Sequence, residues 1–445
     1  MQAVNQISKK KEGYSETAKM LKYGGAFAVF LFTLWMTRHL EITRCPDEWM
    51  RLLVPEYIAL HNRLPVGTEA EILNKQLGFS YAFTPYLPSL LSAFFIKAAV
   101  HFGLPGAVTA SMARLPSVFA AVFSWLLCWD ISEEAFKHQL SGMVFASGLC
   151  LVPQFLFLGS YLNNDCFGVM CCLLILLAWL KGRKDQWSVK SCLLLGFGNG
   201  LLVLTYYNDY GFLLCSLIWY FATSRRMHRT AKQTLTGAGI VLLTAVAIAG
   251  WFFIRNAVIH NGDFIGMNSM YEAGRIYGLK ELYLENRPTP HNLGQSIWYV
   301  MFDENSHWAR TSLESAWGGF GNMDVWLNDR WYHAEAWITS ILAGLGILQM
   351  IIHYKQIHLY QVLCLILCAA VPVILSIRYT MVIDYQAQGR YIISSWIPLV
   401  FVETYGIDRL GSFLRTKVSY AFVMWCGCAA FYAVLCVIPL GCFRP

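Results

Sequence analysis

Charged residues are scarce in this sequence. Asp, Glu, Lys and Arg make up 14% of its 445 residues, whereas 56% of the residues are hydrophobic. Soluble proteins carry roughly 25% charged residues, so the composition argues against a large soluble enzyme, a disordered chain and a fibre. The remaining class is a polytopic membrane protein. The net charge of +7 is then expected to report membrane topology and not nucleic-acid binding, because Lys and Arg stay preferentially on the cytoplasmic side.

Several motifs that mark common enzyme classes are absent. The sequence contains no phosphate-binding P-loop, dinucleotide fingerprint, HExxH zinc motif or nucleophile elbow. It has no paired CxxC metal pattern, and most of its 14 cysteines, such as Cys171 and Cys364, lie inside apolar runs, where they act as small hydrophobic residues. Near the N-terminus, Lys9, Lys10 and Lys11 precede no early apolar run with a small-residue cleavage site, so a cleaved signal peptide is not expected.

Long apolar runs dominate the sequence instead. A helix that crosses a bilayer needs about 20 apolar residues, and twelve runs are candidates for this role. They are residues 23–39, 83–103, 110–129, 140–160, 167–180, 191–205, 209–223, 235–254, 336–352, 359–377, 391–407 and 418–440.

The basic loops between these runs predict how many of them cross. With the lysine-rich N-terminus inside, twelve crossings would place the basic loops 181–190 and 224–234 outside, against the positive-inside rule. If run 83–103, which contains Pro88 and Lys97, lies in the outer interface without crossing, every basic loop and twelve of the fifteen lysines become cytoplasmic. We therefore predict about eleven transmembrane helices. A plain twelfth span with a weaker charge bias is the alternative.

This topology predicts one all-α integral membrane domain over residues 1–445. Residues 1–22 are a cytoplasmic N-terminal segment, residues 40–106 an external loop with juxtamembrane helices, and residues 256–335 a long external loop. The external loops contain nearly all of the unusual polar clusters. Any chemistry is therefore expected outside the cytoplasm, near the outer leaflet.

Three acidic residues in the external loops are candidate catalytic residues: Asp47, Glu48 and Asp165. Asp47 and Glu48 follow the first span. They either begin an interfacial helix, where acidic residues interact well with the helix dipole and Asp47 pairs with Arg51 one turn later, or provide a general base whose pKa is raised by shielding from Trp49 and Tyr57. Asp165 follows a very short loop, which places its carboxylate close to the bilayer, where an unpaired carboxylate is costly. It either caps a helix, or is paired or faces a metal.

Five arginines are predicted to lie near one plane at the outer face of the membrane. Their planar guanidinium groups suit multidentate recognition of phosphate, and their number indicates a lipid-linked phosphate or pyrophosphate. For Arg255, which follows Trp251, Phe252 and Phe253, a snorkelling arginine within an aromatic belt is the alternative. These residues are Arg51, Arg114, Arg255, Arg378 and Arg390.

Other candidate ligand-binding residues lie beside these groups. The Gly-rich segment 315–324 suits a loop whose backbone approaches a ligand, and Trp317 within it offers a face for a sugar ring. A compact interfacial loop is the alternative. The remaining candidates are Asn164, Asn256, Asp324, Gln388 and Tyr391.

The order of these motifs resembles that of a large family of bacterial multi-pass proteins. This family is similar to the GT-C class of glycosyltransferases, which includes protein mannosyltransferases and aminoarabinose transferases. Each motif is short, and their order and membrane side carry the resemblance. The segments are residues 46–48, 163–165, 251–256, 317–321 and 388–391.

The resemblance implies a GT-C fold and an enzyme that transfers a sugar, with inversion, from a polyprenyl-phosphate-linked donor to an extracytoplasmic glycan, lipid or protein. It also implies that Asp47 is the catalytic carboxylate, with Glu48 as the alternative, and that Asp165 is a second acidic position. The sequence differs from the family pattern because no developed soluble domain follows residues 256–335. This difference favours a lipid-linked glycan or a surface polymer as the acceptor.

The expected partners are therefore the polyprenyl-phosphate-linked sugar, its acceptor and membrane lipid, with no nucleic acid. The expected location is the cytoplasmic membrane of a bacterium, with the site on the extracytoplasmic face. No metal or other cofactor is required; Asp47, Asp165 and His307 are candidate ligands for a divalent ion, although no spacing supports one. Two other functions stay open. One is a transporter or flippase of a lipid-linked saccharide, which the lack of a clear internal repeat disfavours; the other is a non-catalytic membrane assembly protein.

Overall fold

A computed structural model describes residues 15–303 and 305–444 of the chain. The predicted cytoplasmic segment 1–22 therefore lies mostly outside the described residues, together with Lys9, Lys10 and Lys11. Within the described part, helices dominate and two very short strands form a hairpin.

Nineteen α-helices follow one another along the described part of the chain. They are α1 Glu16–His39, α2 Glu48–His61, α3 Leu87–His101, α4 Gly106–Ala113, α5 Leu115–Ala135, α6 Leu140–Cys150, α7 Pro153–Leu158, α8 Asp165–Lys184, α9 Val189–Val203, α10 Gly211–Arg226, α11 Ala231–Ile259, α12 Met267–Tyr277, α13 Ile297–Phe302, α14 Trp308–Gly318, α15 Asp329–Ile352, α16 Leu359–Val382, α17 Trp396–Asp408, α18 Ser412–Tyr432 and α19 Ile438–Cys442.

Shorter elements connect these helices. Strands β1 and β2 pair in antiparallel register, with Gly319 opposite Trp326. A π-helical segment joins α18 to α19. The 3₁₀ helices are Ile42–Arg44, Tyr207–Tyr210, Lys280–Leu282, Tyr354–Gln356 and Gly389–Ser395.

Seven helical segments of the described chain are long and apolar enough to cross a membrane. This finding makes the chain an integral membrane protein. The segments correspond to α1, α4 with α5, α8, α11, α15, α16, and α18 through α19. The prediction of about eleven spans counts four further runs, so that number stays a prediction.

The four further runs form shorter or interrupted helices, for visible reasons. Run 140–160 divides into α6 and α7, and Pro153 begins the second helix, a position that needs no backbone N–H. Run 391–407 starts as the 3₁₀ helix Gly389–Ser395 before α17 begins. Helices α9 and α10 have 15 and 16 residues. At 1.5 Å per residue, each is shorter than a hydrocarbon core of roughly 30 Å.

Helix α8 lies at the centre of the bundle. Of its most apolar window, 83% is buried inside the protein, more than in any other of the seven segments. It packs against α5, α9 and α10. Its first residue, Asp165, therefore begins a helix that is surrounded by protein, and this places the carboxylate at one end of the core.

The loops at this end of the bundle are folded. Residues 40–106 contain α2 and α3, and α3 packs against α2, α4 and α5. Residues 256–335 contain α12, α13, α14 and the hairpin. Both boundaries of the predicted loop 256–335 shift, because α11 continues to Ile259 and α15 begins at Asp329. Asn256 therefore lies in the last turn of a helix and not in the loop.

Candidate active site

The Asp47 side chain meets Arg390 at the start of α2. Asp47 precedes the helix with a φ of 61°, a left-handed conformation that Asp tolerates better than most residues. Because of this conformation, the Asp47 side chain points in a different direction from the side chains of the first turn of α2. Its Oδ2 accepts a hydrogen bond of 2.6 Å from Nη2 of Arg390, and 32% of the side chain stays exposed.

Arg390 is fixed from several sides. Its Nε donates to Oε1 of Gln388 at 2.7 Å, and its Nη2 also donates to the hydroxyl of Tyr391 at 2.9 Å. Gly389 places this segment against α14, where a Cβ atom would lie 1.9 Å from the backbone nitrogen of Ala316. The backbone N–H of Gly389 donates to Oγ of Ser315 at 2.7 Å. The 388–391 motif thus needs glycine for close packing and arginine for the carboxylate.

Arg51 lies one helical turn beyond Asp47 on α2. Its guanidinium carbon is 4.1 Å from the centre of the Tyr81 ring, and the residue is only 9% exposed. None of the described residues accepts a hydrogen bond from its side chain, and its Nε is buried. Asp47 and Asp165 are the carboxylates whose charges act on it. A buried guanidinium without acceptors is costly, so this group is suited to hold an anion.

Asp165 completes this group from the first turn of α8. The residue is 1% exposed, and its Oδ1 has no hydrogen-bond partner among the described residues. Electrostatic interactions join it to Arg390, Arg51 and Asp47. Its neighbour Asn164 donates to the backbone oxygen of Thr205 at 2.7 Å and so connects the start of α8 to the end of α9. We call Asp47, Arg51, Asp165 and Arg390 the Asp47 centre.

Several tyrosines surround the Asp47 centre, and of these only Tyr391 was predicted from the sequence. Tyr81 packs on Arg51 and interacts with Asp47, Tyr206 interacts with Asp165, and Tyr161 lies near both Arg390 and Asp165. The Tyr161 hydroxyl is buried without a partner among the described residues. The signal was available, since Tyr161 lies only four residues before Asp165. These hydroxyl groups suit recognition of other hydroxyl groups.

The pKa of Asp47 is shifted in the direction opposite to the expectation. Burial raises the pKa of Asp47. The positive charges of Arg390 and Arg51, with hydrogen bonds from Arg390 and Tyr81, lower it by more than burial raises it, so the pKa lies below the ordinary value. The expected shielding is also wrong for Trp49, which is 50% exposed. Asp47 is therefore ionised at neutral pH.

Glu48 takes no part in the Asp47 centre. Both oxygens bind Arg114, at 2.8 Å from Nε and 2.5 Å from Nη2, and Oε1 also accepts from the backbone N–H of Leu162 at 2.8 Å. Nη1 of Arg114 donates to the backbone oxygens of Thr37 and Leu40. Glu48 and Arg114 are 0% and 1% exposed. Their polar groups are thus used in joining α1, α2, α5 and the 159–164 loop.

Arg255 and Asn256 also lie apart from the Asp47 centre. Nη2 of Arg255 donates to the backbone oxygens of Leu64 and Pro65, at 3.1 and 2.7 Å. Asn256 donates to the backbone oxygen of Phe83 at 3.3 Å. These bonds attach the end of α11 to the loop between α2 and α3. Nη1 of Arg255 and Oδ1 of Asn256 are buried without partners among the described residues.

The remaining predicted residues are separated as well. The Trp317 ring stacks on Trp425 at 5.9 Å and is 4% exposed, so its face is used in packing. Asp324 lies in the hairpin turn and forms an ion pair of 2.8 Å with Arg44. Arg378 is exposed near the end of α16. Of the five arginines predicted to lie near one plane, only Arg51 and Arg390 belong to the Asp47 centre.

A metal site was left open by the sequence. The described residues include no group of three or more His, Cys, Asp or Glu side chains that could hold a metal ion. Near Asp47 and Asp165, the positive charges of Arg51 and Arg390 already oppose both carboxylates.

Comparisons with known proteins support the resemblance and show the fold. Residues 89–251, less than half of the chain, match the family described as dolichyl-phosphate-mannose-protein mannosyltransferase. Among curated proteins, no protein matches the chain.

Solved structures extend the similarity to most of the chain. The crystal structure of ArnT from Cupriavidus metallidurans bound to undecaprenyl phosphate superposes with a TM-score of 0.53 at 14% identity, over 94% of this chain and 65% of that one. The archaeal oligosaccharyltransferase AglB from Archaeoglobus fulgidus, in complex with an inhibitory peptide and a dolichol-phosphate, gives 0.47 at 12% identity, over 93% and 55%. This chain thus spans slightly less than two thirds of the ArnT chain. It has the GT-C fold of ArnT and resembles the GT-C glycosyltransferases.

Proposed function

We propose that this protein is a membrane glycosyltransferase that transfers a sugar from a polyprenyl-phosphate-linked donor to a hydroxyl group of an acceptor glycan, lipid or protein. Asp47 is the general base, and Arg51 and Arg390 bind the donor phosphate. Asp165 and the surrounding tyrosines bind sugar hydroxyl groups. The reaction takes place at the extracytoplasmic face of a bacterial cytoplasmic membrane.

The observation that carries this proposal is an accessible Asp47 carboxylate one helical turn from a buried Arg51 that lacks an acceptor among the described residues. A phosphate oxygen would supply the missing hydrogen bonds of Arg51, and charge-assisted bonds of this kind are the strong ones. Asp47 keeps 32% exposure, so a hydroxyl group can reach it. The two groups belong to one helical turn, which fixes the separation of base and phosphate.

The chemistry follows from this arrangement. The acceptor oxygen attacks the anomeric carbon from the face opposite the phosphate, and its proton passes to Asp47. The bond between the anomeric carbon and the phosphate oxygen breaks, and the polyprenyl phosphate leaves with the electron pair. Arg51 and Arg390 stabilise the charge that develops on the leaving phosphate. Attack from the opposite face inverts the anomeric configuration.

Phosphate binding also acts on the base. In the absence of a donor, Arg390 and Arg51 hold the pKa of Asp47 below its ordinary value. A bound phosphate brings negative charge beside these arginines and so opposes their effect. Asp47 therefore becomes a stronger base when the donor is bound, which favours transfer over idle proton exchange.

Transfer by purified protein in lipid vesicles tests the proposal. A panel of radiolabelled polyprenyl-phosphate monosaccharides is supplied with glycan and lipid acceptors, and release of polyprenyl phosphate is measured. We expect Asp47→Asn to lower turnover about 10³-fold, within the usual range for a general base, while its unfolding temperature stays close to that of the wild type. Arg310→Gln, which removes an exposed arginine of the 308–318 helix, is the matched control and keeps full activity. Normal turnover by Asp47→Asn would overturn the catalytic assignment.

A binding measurement tests the phosphate site separately. Native mass spectrometry with undecaprenyl phosphate should show binding to the wild type and to Asp47→Asn, and about 10–100-fold weaker binding to Arg51→Gln, since hydrogen bonds to charged groups are worth roughly 1.5–3 kcal/mol. Unchanged binding by Arg51→Gln would contradict the phosphate site. Lipid translocation without any transfer, in the wild type and in Asp47→Asn alike, would indicate the flippase instead.

A further inference from the structure

A chain of four side-chain hydrogen bonds leads away from Asp47. After the Arg390–Asp47 bond, Nε of Arg390 donates to Oε1 of Gln388 at 2.7 Å. Nε2 of Gln388 donates to Oε1 of Gln386 at 2.6 Å. Nε2 of Gln386 donates to Oδ2 of Asp384 at 2.7 Å. Asp384, Gln386 and Gln388 are every second residue of the segment between α16 and the 3₁₀ helix Gly389–Ser395, and Arg390 continues the spacing as the second residue of that helix. Each of these side chains is bonded to the next.

The two ends of this chain fix the orientation of both amides. A carboxylate only accepts hydrogen bonds, and a guanidinium only donates them. Between them, each glutamine must direct its NH₂ group towards Asp384 and its oxygen towards Arg390. The three bonds from Arg390 to Asp384 then run in the same direction, each donated towards Asp384, while Arg390 donates to Asp47 on its other side. Arg390 therefore always meets an oxygen of Gln388.

The Asp384 side chain has no other hydrogen-bonding role in the described structure. It accepts one hydrogen bond, from Gln386, and forms no ion pair with a described residue. The backbone of the segment is held by other contacts. Trp308 and Thr380 donate to the backbone oxygen of Gln386, at 3.3 and 3.2 Å. Removal of the Asp384 carboxylate should therefore alter the side-chain chain and leave the fold in place.

We propose that Asp384 is a positioning residue for the transfer reaction, and that it orients Arg390 towards Asp47 through Gln386 and Gln388. This inference rests on the proposed function, because it assigns Asp384 to the same centre. It also gives Gln388 a positioning role in place of the direct ligand contact that the sequence suggested.

Two substitutions at one position separate hydrogen bonding from charge. Asp384→Asn and Asp384→Leu both remove the negative charge and are close in size to aspartate, but only Asn keeps an oxygen that can accept from Gln386. We expect Asp384→Leu to lower kcat about three- to tenfold, the range for one lost hydrogen bond, with KM changed less than kcat because Arg51, which also binds the phosphate, is unaffected. Asp384→Asn should stay within about twofold of the wild type.

The pH profile adds a readout that a merely structural role would not move. A loosened Arg390 lowers the pKa of Asp47 less. The acidic limb of the kcat/KM profile should therefore move to higher pH in Asp384→Leu and stay at the wild-type pH in Asp384→Asn. The unfolding temperatures of both variants should match that of the wild type.

A double substitution tests whether the residues act in series. Gln388→Leu breaks the chain next to Arg390, so the double variant Asp384→Leu/Gln388→Leu should lose no more activity than Gln388→Leu alone. Additive losses, or equal activity of Asp384→Leu and Asp384→Asn, would overturn the inference. Its failure is distinct from that of the proposed function: in the first case Asp47→Asn is still inactive, and in the second Asp47→Asn transfers sugar normally.

Discussion

Two adjacent acidic residues, Asp47 and Glu48, each pair with a buried arginine from a distant part of the chain, yet the two carboxylates differ in their exposure and in how they meet the arginine. The Glu48–Arg114 pair is 0% and 1% exposed, and all three nitrogens of its guanidinium donate to described acceptors. The Asp47–Arg390 pair meets through one carboxylate oxygen, and Asp47 is 32% exposed. One pair is closed, and the other is open on the carboxylate side.

The difference arises at the start of α2. Glu48 is the first residue of the helix and faces the bundle, whereas the left-handed conformation of Asp47 turns its side chain another way. One residue therefore suffices to separate a carboxylate that joins helices from one that can meet a ligand. Sequence adjacency alone does not distinguish the two roles, but substitutions in each pair should have different effects on stability and turnover.

The largest expected effect on stability belongs to the closed pair. Glu48→Gln leaves the Arg114 charge buried without its carboxylate, and breaking a buried pair in this way costs about 3–5 kcal/mol. The unfolding temperature in detergent, measured by scanning fluorimetry, should fall sharply, and any folded fraction should keep near-normal turnover. Asp47→Asn is the matched control, with lost turnover and an unchanged unfolding temperature. If Glu48→Gln were stable and inactive, the roles of the two carboxylates would be reversed.

The sequence predicted the fold class well because composition and apolar periodicity decide it. An all-α membrane protein follows from the apolar runs, and the motifs at 46–48, 163–165 and 388–391 meet in the structure, as their common position at helix ends suggested. The plane of five arginines did not form one site. The position of an arginine at one end of a predicted span does not reveal its partner. It does not show that Arg114 pairs with Glu48, or that Arg255 donates to a backbone oxygen of the loop after α2.

The expectation of a raised Asp47 pKa was wrong for a related reason. Burial of a carboxylate is suggested by neighbouring aromatic residues, but one of the two counter-charges of Asp47, Arg390, comes from far along the chain. Arg390 lies 343 residues from Asp47 and, together with Arg51, lowers its pKa. The tyrosines around the centre were missed because tyrosine is common at membrane interfaces and each is unremarkable until the fold brings them together.

A smaller effect is expected when the open pair loses its arginine. Arg390→Gln removes one of the two positive charges that lower the pKa of Asp47, so burial is less opposed and the pKa rises. In the wild type, Asp47 stays ionised until the pH falls below its lowered pKa, and kcat/KM should be level through mildly acidic pH. In Arg390→Gln, the loss on acidification should begin at a higher pH, and turnover at neutral pH should fall about 10–100-fold, as for loss of a charged hydrogen-bond donor. An acidic limb at the same pH in both proteins would contradict this electrostatic role.

The smallest change relative to wild type is expected when both members of the closed pair are neutralised. The double variant Glu48→Gln/Arg114→Gln contains no unpaired buried charge, so its unfolding temperature should be higher than that of Glu48→Gln alone, although the carbonyls of Thr37 and Leu40 lose a charged donor. The same double substitution in the open pair, Asp47→Asn/Arg390→Gln, should recover no turnover, because it supplies no base. Rescue of stability in one pair and no rescue of activity in the other would separate the roles of these neighbouring carboxylates. A closed-pair double variant less stable than Glu48→Gln would show instead that Arg114 stabilises the fold mainly through its backbone contacts.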